Sequence, residues 1–198
     1  MSWTIFLLSD PETVVLDGWP GDDHPRDTGY PWNEELHGAV EGGSTDPLRQ
    51  SFNGAEWIDD PAKARDRKSE AAKAYREARR NAPLAVYGVF ADRAVTVKMD
   101  VESRITIMGA FNFANFMAAQ GLPSSFSFTD AAGQPVTLDG AQTVALGLNV
   151  AIFSGACDSK LDAVIQALDA AVAAGATAEE IDRVDITAGY PPSGAPEA

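Results

Sequence analysis

Two histidines beside acidic residues are the first positions in this chain whose types suggest chemistry. His24 follows a pair of aspartates, and His37 lies two positions after a pair of glutamates. Imidazole nitrogens and carboxylate oxygens together bind metal ions. However, the spacing matches no helical or cysteine and histidine ligand pattern, and Gly21–His24 lacks the alternating acidic residues of an EF-hand calcium loop. We therefore predict no metal site, with weak calcium binding left open for so acidic a chain.

The usual motifs of catalysis and cofactor binding are missing from the sequence. It contains no Gly-x-Gly-x-x-Gly loop, no Gly-x-x-x-x-Gly-Lys-Ser/Thr loop and no Gly-x-Ser-x-Gly turn. Neighbouring carboxylates such as Asp59 and Asp60 occur, but 29 acidic residues produce such pairs by chance or as helix caps. Glycan hydrolysis needs two carboxylates in a cleft, and the N-terminal tryptophans keep a cell-surface glycan hydrolase as a distant alternative. We predict no catalytic residues, no cofactor and no enzyme activity.

The charge and cysteine content of the chain limit its partners and its compartment. Its 198 residues carry a formal net charge of −14. Because nucleic-acid binding depends on basic residues that neutralise phosphates, neither nucleic acid nor an anionic membrane is an expected partner. No signal peptide and no run of about 18 apolar residues is evident, so we expect a soluble protein without membrane insertion. The only cysteine, Cys157, excludes an intrachain disulfide and is expected in the core.

Aromatic residues concentrate in a loop-rich N-terminal arm. All four tryptophans lie within the first 57 residues, among many glycines and prolines. Short strands are predicted at Ser2–Leu8 and Thr13–Leu16, separated by a turn at Ser9–Pro11, and the segment from Trp19 to Trp32 has no helical period. Large aromatic side chains anchor protein interfaces because they bury much surface. The candidate partner-binding residues of this arm are Trp3, Trp19, Tyr30, Trp32 and Trp57.

A basic helix follows the arm. Proline is favoured at the first helical position, and we predict a helix over Pro61–Asn81. It holds eight of the fifteen basic residues of the chain. The simplest interpretation is a solvated helix with a thin alanine stripe packed inside; the alternative is a docking helix that meets an acidic partner or another helix of an oligomer. The candidate partner-binding residues of this helix are Arg65, Lys68, Arg76 and Arg79.

Two further long helices are predicted. Asp100 caps the helix Val101–Gln120, whose apolar residues cover more than one face and therefore predict a central, buried element. Asp139 and Gln142 form a capping pair for the second long helix, in which Gly155 is a candidate break or kink. A Thr-Ala-Glu-Glu capping box then starts a short last helix.

The fold class that follows is α+β, with a small helical domain, two short hairpins and the strand-containing arm before it. The hairpins pair Ala85–Phe90 with Ala94–Lys98, and Ser125–Thr129 with Gln134–Leu138. The tail is rich in proline and glycine and is expected to be extended and poorly ordered unless a neighbour holds it. The predicted domains are residues 1–55 for the arm, 56–187 for the α+β domain and 188–198 for the tail.

The stretch Met99–Asp139 resembles a phage-associated module. A capped helix start, an apolar helix and a Phe-Thr-Asp hairpin follow one another in the order of that module, before a long alanine-rich helix. The module is a small domain of unknown function in bacteriophage tail-fibre and tail-assembly proteins, and the resemblance spans about residues 56–187. The module often has tryptophan where this chain has Phe128. The positions that align with its recurring pattern are Asp100, Ser103, Thr129, Asp130, Gly133, Val136, Thr137, Leu138 and Leu161.

This resemblance implies a place in a virion and no reaction. It favours a structural component of a phage tail, at the tail tip, the baseplate or the tail-fibre attachment. Such a protein would contact other phage tail proteins in a homo-oligomer or hetero-oligomer, and would be found in the virion tail and, during assembly, in the host cytoplasm. The alternative is a tail-fibre assembly chaperone that the finished particle does not retain. The aromatic arm favours the structural role.

Overall fold

The computed structural model describes residues 2–28, 30–44 and 50–193. Its fold is mixed α+β, with helices and short antiparallel strand pairs, as the sequence predicts. The chain divides into two compact units. Unit 1 comprises Met1–Glu70 with Gln166–Val184, and unit 2 comprises Ala71–Ile165 with Asp185–Ala198. The predicted domain bounds stay predictions, and residues 194–198 of the predicted tail lie outside the described residues.

The described residues of unit 1 form five strands. An antiparallel sheet is formed by β1 (Ser2–Leu7), β2 (Asp10–Pro20) and β3 (His37–Glu41), with β1 in the centre, and β4 (Gln50–Phe52) pairs with β5 (Trp57–Asp59). The predicted turn at Ser9–Pro11 is wrong, because β2 already includes Pro11 and the turn lies at residues 8 and 9. The prediction that the segment from Trp19 to Trp32 contains no helix is also wrong at Pro25–Asp27. There, proline starts a single 3₁₀ turn.

Within the described part of the chain, four α-helices follow the predicted capping signals closely. They are α1 (Pro61–Asn81), α2 (Val101–Ala119), α3 (Gly140–Ala173) and α4 (Ala178–Asp182). The Asp100 carboxylate accepts the Ser103 backbone N–H at 2.8 Å, and Thr177 forms the predicted capping box that starts α4. No break occurs at Gly155, because α3 is continuous through it.

The core of unit 2 lies between two hairpins and the inner sides of α2 and α3. The hairpins pair β6 (Leu84–Val86) with β7 (Val95–Val97), and β8 (Ser125–Thr129) with β9 (Pro135–Asp139). As predicted, Cys157 is a core residue, and burial raises the pKa of its thiol. The other large core residues are Val86, Val97, Met99, Ile107, Leu138, Leu146, Val150 and Phe153.

The C-terminal segment of unit 2 is docked up to the last described residue. The Ala85 N–H donates to the carbonyl of Ser193 at 2.8 Å, and the Arg79 guanidinium donates to the carbonyl of Pro191. The ring of Tyr190 packs on Tyr75 with a centroid distance of 5.2 Å. Over residues 188–193, the tail is therefore held by neighbouring elements, which is the case in which the sequence predicts an ordered tail.

The burial of α2 differs from the prediction of a central helix. Only Ile107 and Ala114 of this helix are buried, whereas Ile105 is 68% exposed and Phe116 is 62% exposed. Apolar residues on several sides of a helix indicated complete burial, but unit 2 covers just one side. Helix α3 is likewise long and apolar enough to cross a membrane by length and composition, and 33% of its most apolar window is buried. That test is also passed by helices of soluble cores.

The spacing of α2 and α3 depends on Gly147. A Cβ atom built on Gly147 would lie 2.5 Å from Cβ of Phe111. We predict that Gly147→Ala destabilises the protein by about 1–3 kcal/mol, because the overpacked helices must move apart. Urea unfolding monitored by circular dichroism measures this change. An alanine variant as stable as the wild type would show that the helices do not need this contact.

The Asp100 cap makes part of the stability dependent on pH. Hydrogen bonds from the Ser103 backbone and hydroxyl hold the pKa of the Asp100 carboxyl below its ordinary value of 3.8. A lowered folded-state pKa stabilises the fold above the unfolded value, and the effect is lost as pH falls through the folded value. Asp100→Asn keeps a capping oxygen without a titrating group. We predict a smaller loss of stability for this variant between about pH 6 and pH 2.5, measured by urea unfolding; parallel curves would contradict the assignment.

Candidate functional site

Six aromatic rings of unit 1 form one connected group, which we name the ring cluster. Its members are Trp3, Trp19, His24, Tyr30, Trp32 and His37. Trp32 lies at the centre, with ring centroids 4.9 Å from His24, 5.7 Å from His37 and 6.4 Å from Tyr30. The ring of Trp3 reaches His24 at 5.1 Å, and Trp19 reaches Tyr30 at 5.3 Å. All six rings are half-buried, so the cluster presents ring surface outward while its members fix one another.

Backbone pairing and local hydrogen bonds place these rings. Trp3 of β1 and Trp19 of β2 are cross-strand partners, so their side chains lie near each other. The Nδ1 atom of His24 accepts the Arg26 N–H, and the Nδ1 atom of His37 accepts the Asn33 N–H, both at 3.2 Å. Each imidazole therefore supports a turn of the loop through an unprotonated Nδ1.

Two indole N–H groups of the ring cluster have no acceptor among the described residues. The Nε1 atoms of Trp3 and Trp32 are buried from solvent within the described residues, and neither has a hydrogen-bond partner. By contrast, Nε1 of Trp19 donates to the Thr28 hydroxyl at 3.0 Å. A buried donor without an acceptor costs free energy, so its presence calls for an explanation. Because both atoms are buried, an acceptor oxygen of another molecule reaches them only if the two rings shift on binding.

Trp57 does not belong to the ring cluster. Its Nε1 donates to the Thr4 hydroxyl at 2.7 Å, and that hydroxyl donates to the Gly42 carbonyl at 2.6 Å. The Trp57 ring packs on Phe52 at 5.7 Å. Thr4 itself is fully buried. Among the five aromatic candidates, Trp57 is thus the one whose indole N–H binds a fully buried group of unit 1.

The basic candidates of α1 contact groups of their own unit. In unit 1, Arg65 pairs with Asp169 at 2.6 Å, and Nζ of Lys68 donates to the carbonyl of Asp182 at 2.6 Å. In unit 2, the guanidinium of Arg76 lies 3.4 Å from the carboxylate of Asp158. The guanidinium of Arg79 donates to the Pro191 carbonyl of the C-terminal segment, as described above. The hydrogen bonds that Arg65 donates to the carboxylates of Asp66 and Asp169 raise the pKa of its guanidinium above the ordinary value. Because these contacts already engage the four charged groups, fewer of their N–H donors are left for an acidic partner.

The alanine stripe of α1 is only partly internal. Ala64 and Ala72 are fully buried, as the solvated-helix interpretation requires. Ala71 and Ala78 are exposed, so the predicted stripe is broader than the buried one.

The residues aligned with the phage-associated module mostly serve turns, caps and core packing. Asp130 accepts the Gln134 N–H at 2.7 Å, and Gly133 has a φ of +81°, which favours glycine at this turn. Leu138 is fully buried. Ser103, Phe128 and Thr129 line a cleft of about 220 Å³ in unit 2. These roles agree with the structural explanations that the sequence suggested for them.

Among the described residues, no group of three or more histidine, cysteine, aspartate or glutamate side chains is arranged to hold a metal ion. The two histidines do approach a common neighbour, Trp32, but as members of an aromatic group. Sequence reasoning considered them only as metal ligands and missed this role. The available signal was the aromatic density around His24, which has Trp19, Tyr30 and Trp32 within eight residues.

Comparison with protein families gives one match. Residues 63–188 match the family described as "Domain of unknown function (DUF4376)", which covers more than half of the chain. The chain belongs to this family. No curated protein and no solved structure matches it. The DUF4376 range contains the aligned positions of the module and all of α2 and α3, whereas the ring cluster lies before it. The phage association of the module stays a prediction.

Two matched substitutions test the roles of the indoles. Trp57→Phe and Trp32→Phe make the same change in size, but only the first removes a hydrogen bond. We predict that Trp57→Phe destabilises the protein by about 1–2 kcal/mol more than Trp32→Phe does, because the Thr4 hydroxyl loses its donor. Equilibrium urea unfolding of both variants provides the comparison. Equal losses of stability would argue that the Trp57 bond contributes nothing.

Proposed function

We propose that this protein is a structural component of a bacteriophage tail that acts through protein–protein contacts. The observation that carries the proposal is the ring cluster of unit 1, with its two unsatisfied indole donors. The resemblance of Met99–Asp139 to a phage-associated module supplies the setting. In this role the protein is a subunit that stays in the particle. The ring cluster is its attachment surface to a neighbouring tail protein.

The chemistry of the ring cluster supports protein partners. Half-buried tryptophan and tyrosine rings are typical anchors of interfaces, since they bury a large area with few rotatable bonds. A backbone carbonyl of a neighbouring chain is an acceptor of the right kind for the Nε1 atoms of Trp3 and Trp32, once binding shifts the two rings and uncovers these atoms. In such an interface the two donors would gain the bonds that they lack in the single chain, and this gain favours the bound state.

Quantitative mass spectrometry of purified particles tests the proposal. The particles are prepared from the phage or prophage that encodes the chain, and the copy number is expressed relative to a major tail protein. We expect the wild type at a fixed ratio in intact particles. Abundance in the lysate with absence from particles would overturn the structural role and favour the assembly chaperone.

A double variant tests the attachment surface. Trp3→Phe with Trp32→Phe keeps two rings and removes both unsatisfied donors, so no hydrogen bond inside the chain is lost. We expect about a tenfold lower copy number in particles, which corresponds to the loss of one or two hydrogen bonds. Trp57→Phe, outside the cluster, serves as the control for folding defects. A normal copy number for the double variant would show that the ring cluster is not the attachment surface.

A further inference from the structure

In unit 2, helix α2 and the part of α3 up to Ile165 leave apolar side chains exposed, and we name this surface the α2–α3 face. A groove of about 370 Å³ is lined by Ile105 and Met108 from α2 and by Ala151 from α3, with Arg80 and Arg104 also lining it. Six large apolar side chains of the two helices are at least 50% exposed, and Val101 and Ile105 among them line the groove. The six are Val101, Ile105, Phe113, Phe116, Leu148 and Ile152.

This face carries no charged residue along most of its length. No charged residue occurs between Arg104 and Asp130, and none occurs between Asp139 and Asp158. Elsewhere the chain is rich in charge, with 22% Asp, Glu, Lys and Arg overall. Helix sides that face water normally carry charged residues. The outer sides of α2 and α3 therefore have the composition of a covered surface.

Two glycines of the face have no packing explanation inside the chain. Gly109 lies one turn from Ile105 and one turn from Phe113, and Gly155 follows Ile152 on α3. A Cβ atom built on either glycine meets no atom of the described residues within 4 Å, in contrast to Gly147. Glycine inside a helix lowers its stability relative to alanine. The two positions are explained if the backbone of another molecule approaches closely there.

The area of the face suits a specific interface. With about 150–250 Å² for a whole aromatic side chain and somewhat less for an aliphatic one, the exposed parts of the six side chains amount to roughly 600 Å². A standard protein interface buries about 800 Å² on each partner. The largest apolar patch of a typical monomer measures about 300–600 Å² and is often functional, so the face lies at the upper end of that range.

We propose that the α2–α3 face joins two copies of this chain in a symmetric dimer. One face offers both projecting side chains, such as Ile105 and Ile152, and notches at the glycines, so two equal faces can interdigitate. The charged residues that line the groove are Arg80 and Arg104, so two chains of net charge −14 can meet there without carboxylates opposed at the contact. The dimer forms whether or not the protein is a tail component, and it does not involve the ring cluster.

Sedimentation equilibrium of the full chain tests the dimer. We expect a mass of twice 21.0 kDa at micromolar concentration. Ile105→Glu and Ile152→Glu place a charge in the interface and should each raise the dissociation constant about 100-fold or more. Both positions are exposed in the single chain and glutamate is a good helix former, so circular dichroism should show unchanged folding. Tyr87→Glu, equally exposed but outside the face, is the matched control and should leave the dimer intact.

The glycines give a test with opposite signs. Gly109→Ala and Gly155→Ala should raise the unfolding midpoint of the single chain, because alanine favours a helix. The same variants should weaken the dimer, because the added methyl groups keep the backbones apart. A purely structural role would change the two quantities in the same direction.

Two results would overturn the proposal. One is a wild type that stays monomeric up to about 200 μM, a concentration at which even weak specific association is detected. The other is a monomer that floats with phosphatidylcholine vesicles and loses this binding in Ile105→Glu, which would make the face a lipid-binding surface. Dimerisation unaffected by both glutamate variants would place the contact elsewhere and would equally refute the role of this face.

Discussion

The contact between Phe111 and the backbone of Gly147 is the constraint on which unit 2 depends. It brings α2 and α3 together at one crossing and fixes the rotation of each helix about its axis. One set of side chains, including Ile107 and Val150, then turns towards the two hairpins and becomes the core. The remaining apolar side chains are left outside by the same rotation. Core packing and the exposed face are thus two results of one contact, since a helix that is apolar all round cannot hide every side against two small hairpins.

Unit 1 is held together in a different way. The strands of unit 1 contain few buried apolar residues. Ile5 of β1 and Phe52 of β4 are the largest of those described. Much of the remaining stabilisation comes from rings packed against rings and from the Thr4 hydroxyl, which accepts one hydrogen bond and donates another. The helical part of this unit has a small core that includes Leu168 and Ile181. It is also held by hydrogen bonds from the Arg67 guanidinium to both carboxylate oxygens of Asp182. Polar contacts that close over long sequence separations therefore matter more here than in unit 2.

Local signals in the sequence predicted the elements well, because they act over a few residues. The bounds of α1, the caps at Asp100 and Thr177 and the turn at Gly133 follow from backbone groups that need nearby partners. Which sides of the helices are buried could not be predicted in the same way. Burial of α2 depends on how much surface the hairpins provide, and no short pattern records that quantity. The apolar composition around Phe113 and Phe116 was visible, but composition alone does not distinguish a core from an interface.

The candidate site shows the same division. The tryptophans could be selected from their density in the N-terminal part. The grouping of three of them and Tyr30 with His24 and His37 depends on a fold that brings distant positions together. The basic residues of α1 were selected for their charge, and the structure engages them with carboxylates and carbonyls from the far end of the chain. Pairing across such separations requires tertiary structure, and sequence alone offers no equivalent of the capping signals for it.

The docked C-terminal segment has a practical consequence for work on this family. The family range ends at residue 188, yet Tyr190, Pro191 and Ser193 bind to α1 and to the edge of β6. A recombinant fragment trimmed to the family range would lose a ring contact, a bidentate arginine bond and a strand-edge bond at once. The uncovered edge of β6 would present free hydrogen-bonding groups, which invite aggregation. Fragment boundaries for this domain are therefore better placed after residue 193 than at the limit that sequence similarity defines.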